Sequence, residues 1–296
     1  MECGGRDLNP RTPTGPAPQA NDIAGMRTID YRSVRYEFMK WLERKVEPDT
    51  ARFYIKYLDE YLMDSITDVQ QVIEILSSID SIGKRRWFER GFRNLLNFLE
   101  IKGYPLDFIE RFRKAVKVEN AGVREIFIDT NELLEAWRDK ISRRSRKMQI
   151  LFKLFVYSGV RGKQAVAMLN NFDPLKIVYK DRIARYPIAN ISKGSKKGYW
   201  VYMPSKFAKE LVDFIKSFNG KMTKKTIDNM RFGRVSASTI RKWHLNFLIE
   251  NGVPESVADF IQGRASLTVG STHYLNKTKQ ADEWYSRVVD RFPIKG

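Results

Sequence analysis

Arg161, Lys193, Arg241, Arg264 and Tyr274 form a series of cations closed by one late tyrosine. Guanidinium forks suit phosphate oxygens, a lysine offers a point charge, and a phenol hydroxyl is a nucleophile, so the series suggests phosphoryl transfer. The net charge of +18 and an isoelectric point near 9.8 call for a polyanionic partner, and nucleic acid is the commonest. Each member also has a bland alternative. An arginine at a helix junction can bond carbonyls, a hairpin lysine can keep a turn soluble, and the chain has thirteen tyrosines.

The elements that must position these residues lie in the second half of the chain. Asp129 or Thr130 can cap a helix carrying Leu133, Leu134 and Trp137. A basic turn then leads into an apolar helix over 148–157, stopped by Gly159, so Arg161 projects from a rigid junction. Between Ile177 and Pro204 the pattern switches to strands. Segments 188–193 and 199–203 flank the glycine-bounded turn 194–198, which predicts a β-hairpin bearing Lys193, Lys196 and Lys197. Such a hairpin can lie in a groove and present an ammonium to a phosphate. Ile240, Trp243, Phe247 and Leu248 share one face of a helix ending near Gly252, with Arg241 beside that face. A short helix over 254–261 ends at Gly263 and Arg264, and Tyr274 follows in a segment with little reason to be core. Tyr285 is the alternative nucleophile, but it sits in an amphipathic pattern over 281–292 with Trp284, Val288 and Val289.

The first half is helical throughout from Tyr31 to about Val118. Phe38, Trp41, Leu42 and Val46 recur at helical spacing. Asp49 or Thr50 can cap a helix with Phe53, Tyr57, Leu58 and Tyr61, and the pattern repeats over 69–79, 87–99 and 106–118. A bundle of four or five helices is expected. Lys84, Arg85, Arg86, Arg90 and Arg93 place positive charge at the start and along one face of a helix whose other face carries Phe88, Phe92, Leu95 and Leu96. These five are candidates for DNA phosphate contact, against the alternative of a solvated face. Residues 119–122 make the best boundary.

Residues 1–25 have no hydrophobic periodicity and read as a disordered arm. Gly5 to Arg11 can be encoded so that the reverse complement forms a hairpin closed over TTCAAAT, like the T arm of a tRNA gene. The leader then serves the DNA rather than the fold, as a copy of an attachment site. The single cysteine, Cys3, excludes a disulfide framework and a cysteine-rich zinc site and fits a reducing, cytoplasmic setting. Apolar runs fall short of the roughly 20 residues of a membrane span, so no membrane role is expected.

The helix opened by Arg241 and closed by Glu250, Asn251 and Gly252 resembles the segment of tyrosine recombinases that begins at their second catalytic arginine. Ser158, Gly159, Val160 and Arg161 resemble the box around the first arginine, Lys193 the hairpin lysine, Gly263 and Arg264 the Gly-His position, and His273 and Tyr274 the nucleophile segment. The similarity covers about 170 residues. With the leader, the chain looks most like integrases of archaeal viruses and plasmids that carry the attachment site inside the integrase gene. Ser238 stands where the family usually has His or Lys, Gln164 where a carboxylate is common, and Arg264 where His or Trp is usual. Ser238 is at best a hydrogen-bond donor, which leaves the tyrosine proton to another group or to water.

The resemblance implies a mainly α fold with a small β-sheet: a leader (1–25), a helical core-binding domain (26–120) and a catalytic domain (121–296), forming a C-shaped clamp on double-stranded DNA. It implies a site-specific recombinase in which Tyr274 attacks a phosphodiester to give a 3′-phosphotyrosyl link. Arg161, Arg241 and Arg264 would stabilise the phosphate, and Lys193 would protonate the leaving oxygen. No metal or cofactor is required. The expected assembly is a homotetramer on DNA, monomeric when free. Two competing readings stay open: a type IB topoisomerase, and a catalytically inert DNA-binding protein descended from a recombinase.

Overall fold

The computed structural model describes residues 27–118, 125–191, 198–264 and 274–295, with the backbone alone for residues 274–276. Contacts divide the chain into two compact units, Met1–Val123 and Arg124–Gly296. The leader, Lys193, Lys196, Lys197 and the boundary residues 119–122 lie outside the described residues.

The first unit has five helices among its described residues. α1 (Tyr31–Lys45) opens at Asp30, whose carboxylate accepts from the Ser33 amide at 3.2 Å. α2 (Pro48–Tyr61) begins ahead of the expected Asp49 or Thr50 cap, because Pro48 at the first helical position has no amide hydrogen to leave unpaired. α3 (Val69–Ser78) starts on a reciprocal cap between Asp68 and Gln71. α4 (Ile82–Ile101) starts earlier than the apolar pattern suggests, on Ser81, and buries Phe88, Phe92, Leu95, Leu96 and Leu99. α2 and α4 meet at Gly91, where a Cβ would lie 3.2 Å from the Tyr54 Cβ. α5 (Leu106–Ala115) ends short of Val118, and Val116 is its carboxyl-terminal cap.

The second unit is built around one buried helix. α6 (Thr130–Glu135), capped by Asp129, runs into a π-helical turn, Ala136–Ile141. α7 (Arg146–Ser158) follows, and every residue from Ile150 to Ser158 is buried. A helix apolar on all sides belongs at the centre of a core. Then come α8 (Gly162–Asn170) and an antiparallel sheet of β1 (Val178–Lys180), β2 (Ile183–Pro187) and β3 (Trp200–Pro204) in that order.

The hairpin expectation needs correction. Segment 188–193 is not a strand over its described part. The partner of β3 is β2, in the register Tyr186 to Val201. Pro187 has no amide hydrogen to continue the ladder. The Ile188 amide makes a last bond to the Tyr199 carbonyl at 2.9 Å, and Ala189–Ile191 turns as a 3-10 helix. α9 (Ser205–Ser217), α10 (Lys224–Asn229), α11 (Ala237–Glu250), α12 (Glu255–Ile261) and α13 (Tyr274–Val288) complete the unit. After α13 the chain returns to the core through Phe292 and Ile294, with the Tyr157 hydroxyl donating to the Ile294 carbonyl at 2.8 Å.

The fold is mainly helical with one small sheet, as expected. No helix of the described residues is long and apolar enough to cross a membrane.

Candidate active site

Three helix ends bring the predicted arginines together. At the first, α7 ends on Gly159 in the left-handed conformation, φ 57°. A side chain there is excluded twice over, by the backbone strain and because a Cβ would lie 2.5 Å from Gln262 Nε2 and 2.6 Å from His244 Nδ1. The turn delivers Arg161 as the residue capping α8. At the second, α12 ends on Gly263, φ 66°, and the Arg264 amide bonds back to the Asp259 carbonyl at 2.7 Å, which throws the Arg264 side chain outward. The third is the start of α11, where a reciprocal Ser236–Thr239 cap sets the helix that carries Arg241 in its second turn.

The side chains then lace these segments to one another. Arg161 Nη1 donates to the Gly263 carbonyl at 2.7 Å, and Arg241 Nη1 donates to the Gly159 carbonyl. Gln262 Nε2 reaches the Arg241 carbonyl at 2.8 Å and His244 Nδ1 at 2.7 Å. The other imidazole nitrogen of His244 lies 2.9 Å from the Tyr157 carbonyl, which also accepts from the Tyr285 hydroxyl at 2.8 Å. Arg161 and Arg241 therefore bond carbonyls, as the bland alternative requires. Those carbonyls belong to the residues that aim the other arginines.

The electrostatics separate this site from an ordinary structural cluster. Burial comes first in pushing Arg241 down to about 9, and the charges of Arg161 and Arg264 add to it; Asp259 opposes them and is outweighed. Arg161 is lowered by burial and then by Arg264. Arg241 remains cationic at neutral pH, and its Nη2 is buried without a hydrogen-bond partner among the described residues. Three like charges held together, one with an unused donor, suit a bound anion with several oxygens. A tetrahedral phosphate has that shape.

Tyr274 is the first residue of α13, and its side chain is outside the described atoms. Tyr285 is fully buried and spends its hydroxyl on a core carbonyl, and burial raises its pKa well above the usual value. It cannot reach a substrate. The Arg185–Asp282 ion pair ties α13 to β2, with Arg185 also 4.6 Å over the Trp200 ring. Ser238 is exposed, and its hydroxyl pairs with Ser236 at 3.0 Å.

Sequence reasoning missed His244 and Gln262. Their only signal was placement, His244 one turn after Arg241 and Gln262 two residues before Arg264. The candidate phosphate contacts of the first unit are mixed. Lys84 is exposed and pairs with Glu60 at 3.2 Å, whereas Arg85 donates to the Ile79 carbonyl at 2.9 Å and Arg93 to the Val116 carbonyl at 3.0 Å, closing α3 and α5. Arg86 and Arg90 are half-buried.

A sequence profile of the archaeal phage integrase family matches residues 125–291, more than half of the chain. No curated protein matches the chain. Among solved structures, it is similar to a lambda integrase tetramer bound to a Holliday junction, with a TM-score of 0.61 at 14% identity over 86% of this chain and 84% of that one. It is also similar to the XerH site-specific recombinase bound to a palindromic difH substrate in a post-cleavage complex, with a TM-score of 0.50 at 14% identity over 79% of this chain and 78% of that one. These two likenesses give the fold. The profile gives the family: the chain belongs to the archaeal phage integrases, site-specific recombinases of the tyrosine class.

Proposed function

We propose that the chain integrates and excises a mobile element by cutting and rejoining DNA through Tyr274, with Arg161, Arg241 and Arg264 holding the scissile phosphate. The observation that carries this reading is the convergence of the three arginines into one cluster with a buried unused donor at Arg241 Nη2. The Tyr274 hydroxyl oxygen attacks phosphorus and gives up its proton to another group or to water. The bond from phosphorus to the 5′ oxygen breaks, and Lys193 protonates that oxygen. A 3′-phosphotyrosyl link and a free 5′-hydroxyl result. The link conserves the phosphodiester bond, so a partner strand's 5′-hydroxyl can displace the tyrosine without ATP. Negative charge growing on the nonbridging oxygens meets guanidinium groups already in place.

Residues 26–120 act as the core-binding domain, with Lys84, Arg86 and Arg90 on the DNA backbone, and residues 121–296 as the catalytic domain. The assembly is a homotetramer on two duplexes, as the lambda integrase structure is of a tetramer on a Holliday junction. The protein works in the cytoplasm, and its target is a tRNA gene, whose T arm the leader's coding sequence copies.

Nicked suicide DNA carrying that site tests the reading with wild type, Tyr274→Phe and Tyr285→Phe. A denaturation-resistant protein–DNA adduct should form with wild type and be lost with Tyr274→Phe. Wild type that binds this DNA without forming an adduct would overturn active recombination at that site and favour an inert binder.

A further inference from the structure

The hydrogen-bond chemistry around His244 is fully specified by its partners. The Tyr157 carbonyl can only accept, so the Nε2 facing it carries the proton. The Gln262 amide nitrogen that contacts His244 Nδ1 also contacts the Arg241 carbonyl, and both of its hydrogens are used. Nδ1 must therefore accept, and the ring is neutral. A second proton on the ring would face an amide NH2. Turning the Gln262 amide over would relieve that clash but set its oxygen against the Arg241 carbonyl. The neutrality of one imidazole and the seat of Arg241 are thus a single condition.

We propose that Gln262 and His244 are positioning residues for strand cleavage, fixing the turns from which Arg161, Arg241 and Arg264 reach the phosphate. The pair lies against Gly159, whose carbonyl holds Arg241 and whose turn delivers Arg161. Gln262 itself precedes the turn that delivers Arg264. One bracket of two side chains touches all three segments, while neither side chain needs to meet the substrate.

The groups that act on His244 favour the neutral ring. Arg241 and Arg264 are the nearby cations, the Tyr157 and Tyr285 hydroxyls are committed to core carbonyls, Phe292 stacks on the ring at 5.9 Å, and Asp259 acts on Arg241. Burial, followed by the two arginines, holds His244 down to about 3 against the bond to Tyr157.

This inference rests on the arginines holding the phosphate, and the experiment separates the two ideas. The chain has two histidines, so nitrogen-15 labelling of imidazoles, with His273→Gln for assignment, reads His244 directly in the full-length protein. The expected signals are those of an Nε2–H tautomer unmoved between about pH 8 and pH 5. Gln262→Met, close in shape but without donors, should shift the Nδ1 signal and slow single-turnover adduct formation about 100-fold while DNA affinity is kept. An Nδ1–H tautomer, an imidazole titrating in that range, or a Gln262→Met protein cleaving at the wild-type rate would each overturn the proposal. The tautomer measurement needs no variant of Gln262, so misfolding of that variant leaves the proposal falsifiable. A wild type that binds DNA without forming an adduct would overturn the cleavage reading on which this inference rests, and the imidazole signals would still decide the lacing.

Discussion

The arginines of the amino-terminal unit and those of the candidate site are placed in opposite ways. In the amino-terminal unit, Arg35 meets Asp59 at 2.6 Å, Arg113 is bracketed by Glu100 and Glu110, and Lys84 pairs with Glu60. Arg85 and Arg93 close helix ends. In the carboxyl-terminal unit, the charge of Arg264 adds to burial in lowering Arg161, and the charges of Arg161 and Arg264 add to burial in lowering Arg241 to about 9. A cation beside a carboxylate stabilises the fold modestly. Cations beside one another cost stability, and such an arrangement is kept where an anionic ligand compensates it. The cluster of charge at residues 84–93 therefore belongs to a helix surface, whereas the scattered arginines converge into a site.

The largest expected effect would break this contrast if it failed. Arg241→Gln should slow adduct formation by roughly 100- to 1,000-fold, the range for losing one preorganised donor to a developing oxyanion. Its melting temperature at neutral pH should not fall, because the substitution removes a buried like charge. Single-turnover cleavage and a thermal melt measure both, and a large loss of stability with cleavage intact would make Arg241 a structural residue.

A second effect sharpens the contrast through pH. His244 has a folded pKa lowered to about 3 from an ordinary value of 6.5. The unfolded chain then binds the extra proton between these values, so stability is lost as pH falls from about 6.5 towards 3, by up to about 1.4 kcal/mol per pH unit. Denaturant titrations across that window should show the slope, and His244→Gln should flatten it. An unchanged slope in the variant would mean that carboxylates alone set the acid limit.

The smallest effect belongs to the amino-terminal unit. Arg93→Ala removes the donor to the Val116 carbonyl, and unfolding should be easier by about 1 kcal/mol, the usual net worth of such a bond. Cleavage by the folded protein should be unchanged. A fall in DNA affinity with no change in stability would instead restore Arg93 to the phosphate-contacting set.

Much of the helical architecture was legible because apolar periodicity is a direct imprint of burial. Phe38 and Leu42, or Ile240, Trp243 and Phe247, announce their helices without help. The sheet was harder. β2 contains Arg185 and ends in Pro187, so it does not look like a strand, and the segment after it, beside the glycine-bounded turn, carries the hairpin pattern instead. Tertiary context decides there, since Arg185 is held by Asp282 and the face of Trp200.

The sequence by itself determined the composition of the proposed site: three arginines, a lysine and a tyrosine in order, on a strongly basic chain with glycines where left-handed turns are needed. Only the tertiary structure decided what holds the arginines in place. Arg241 is joined to Gly159 across 82 residues, His244 to Tyr157 across 87, and Arg161 to Gly263 across 102. Each of these bonds ends on a backbone carbonyl. Every residue has one, so no residue type marks the acceptor, and only the folded chain shows which carbonyls are met.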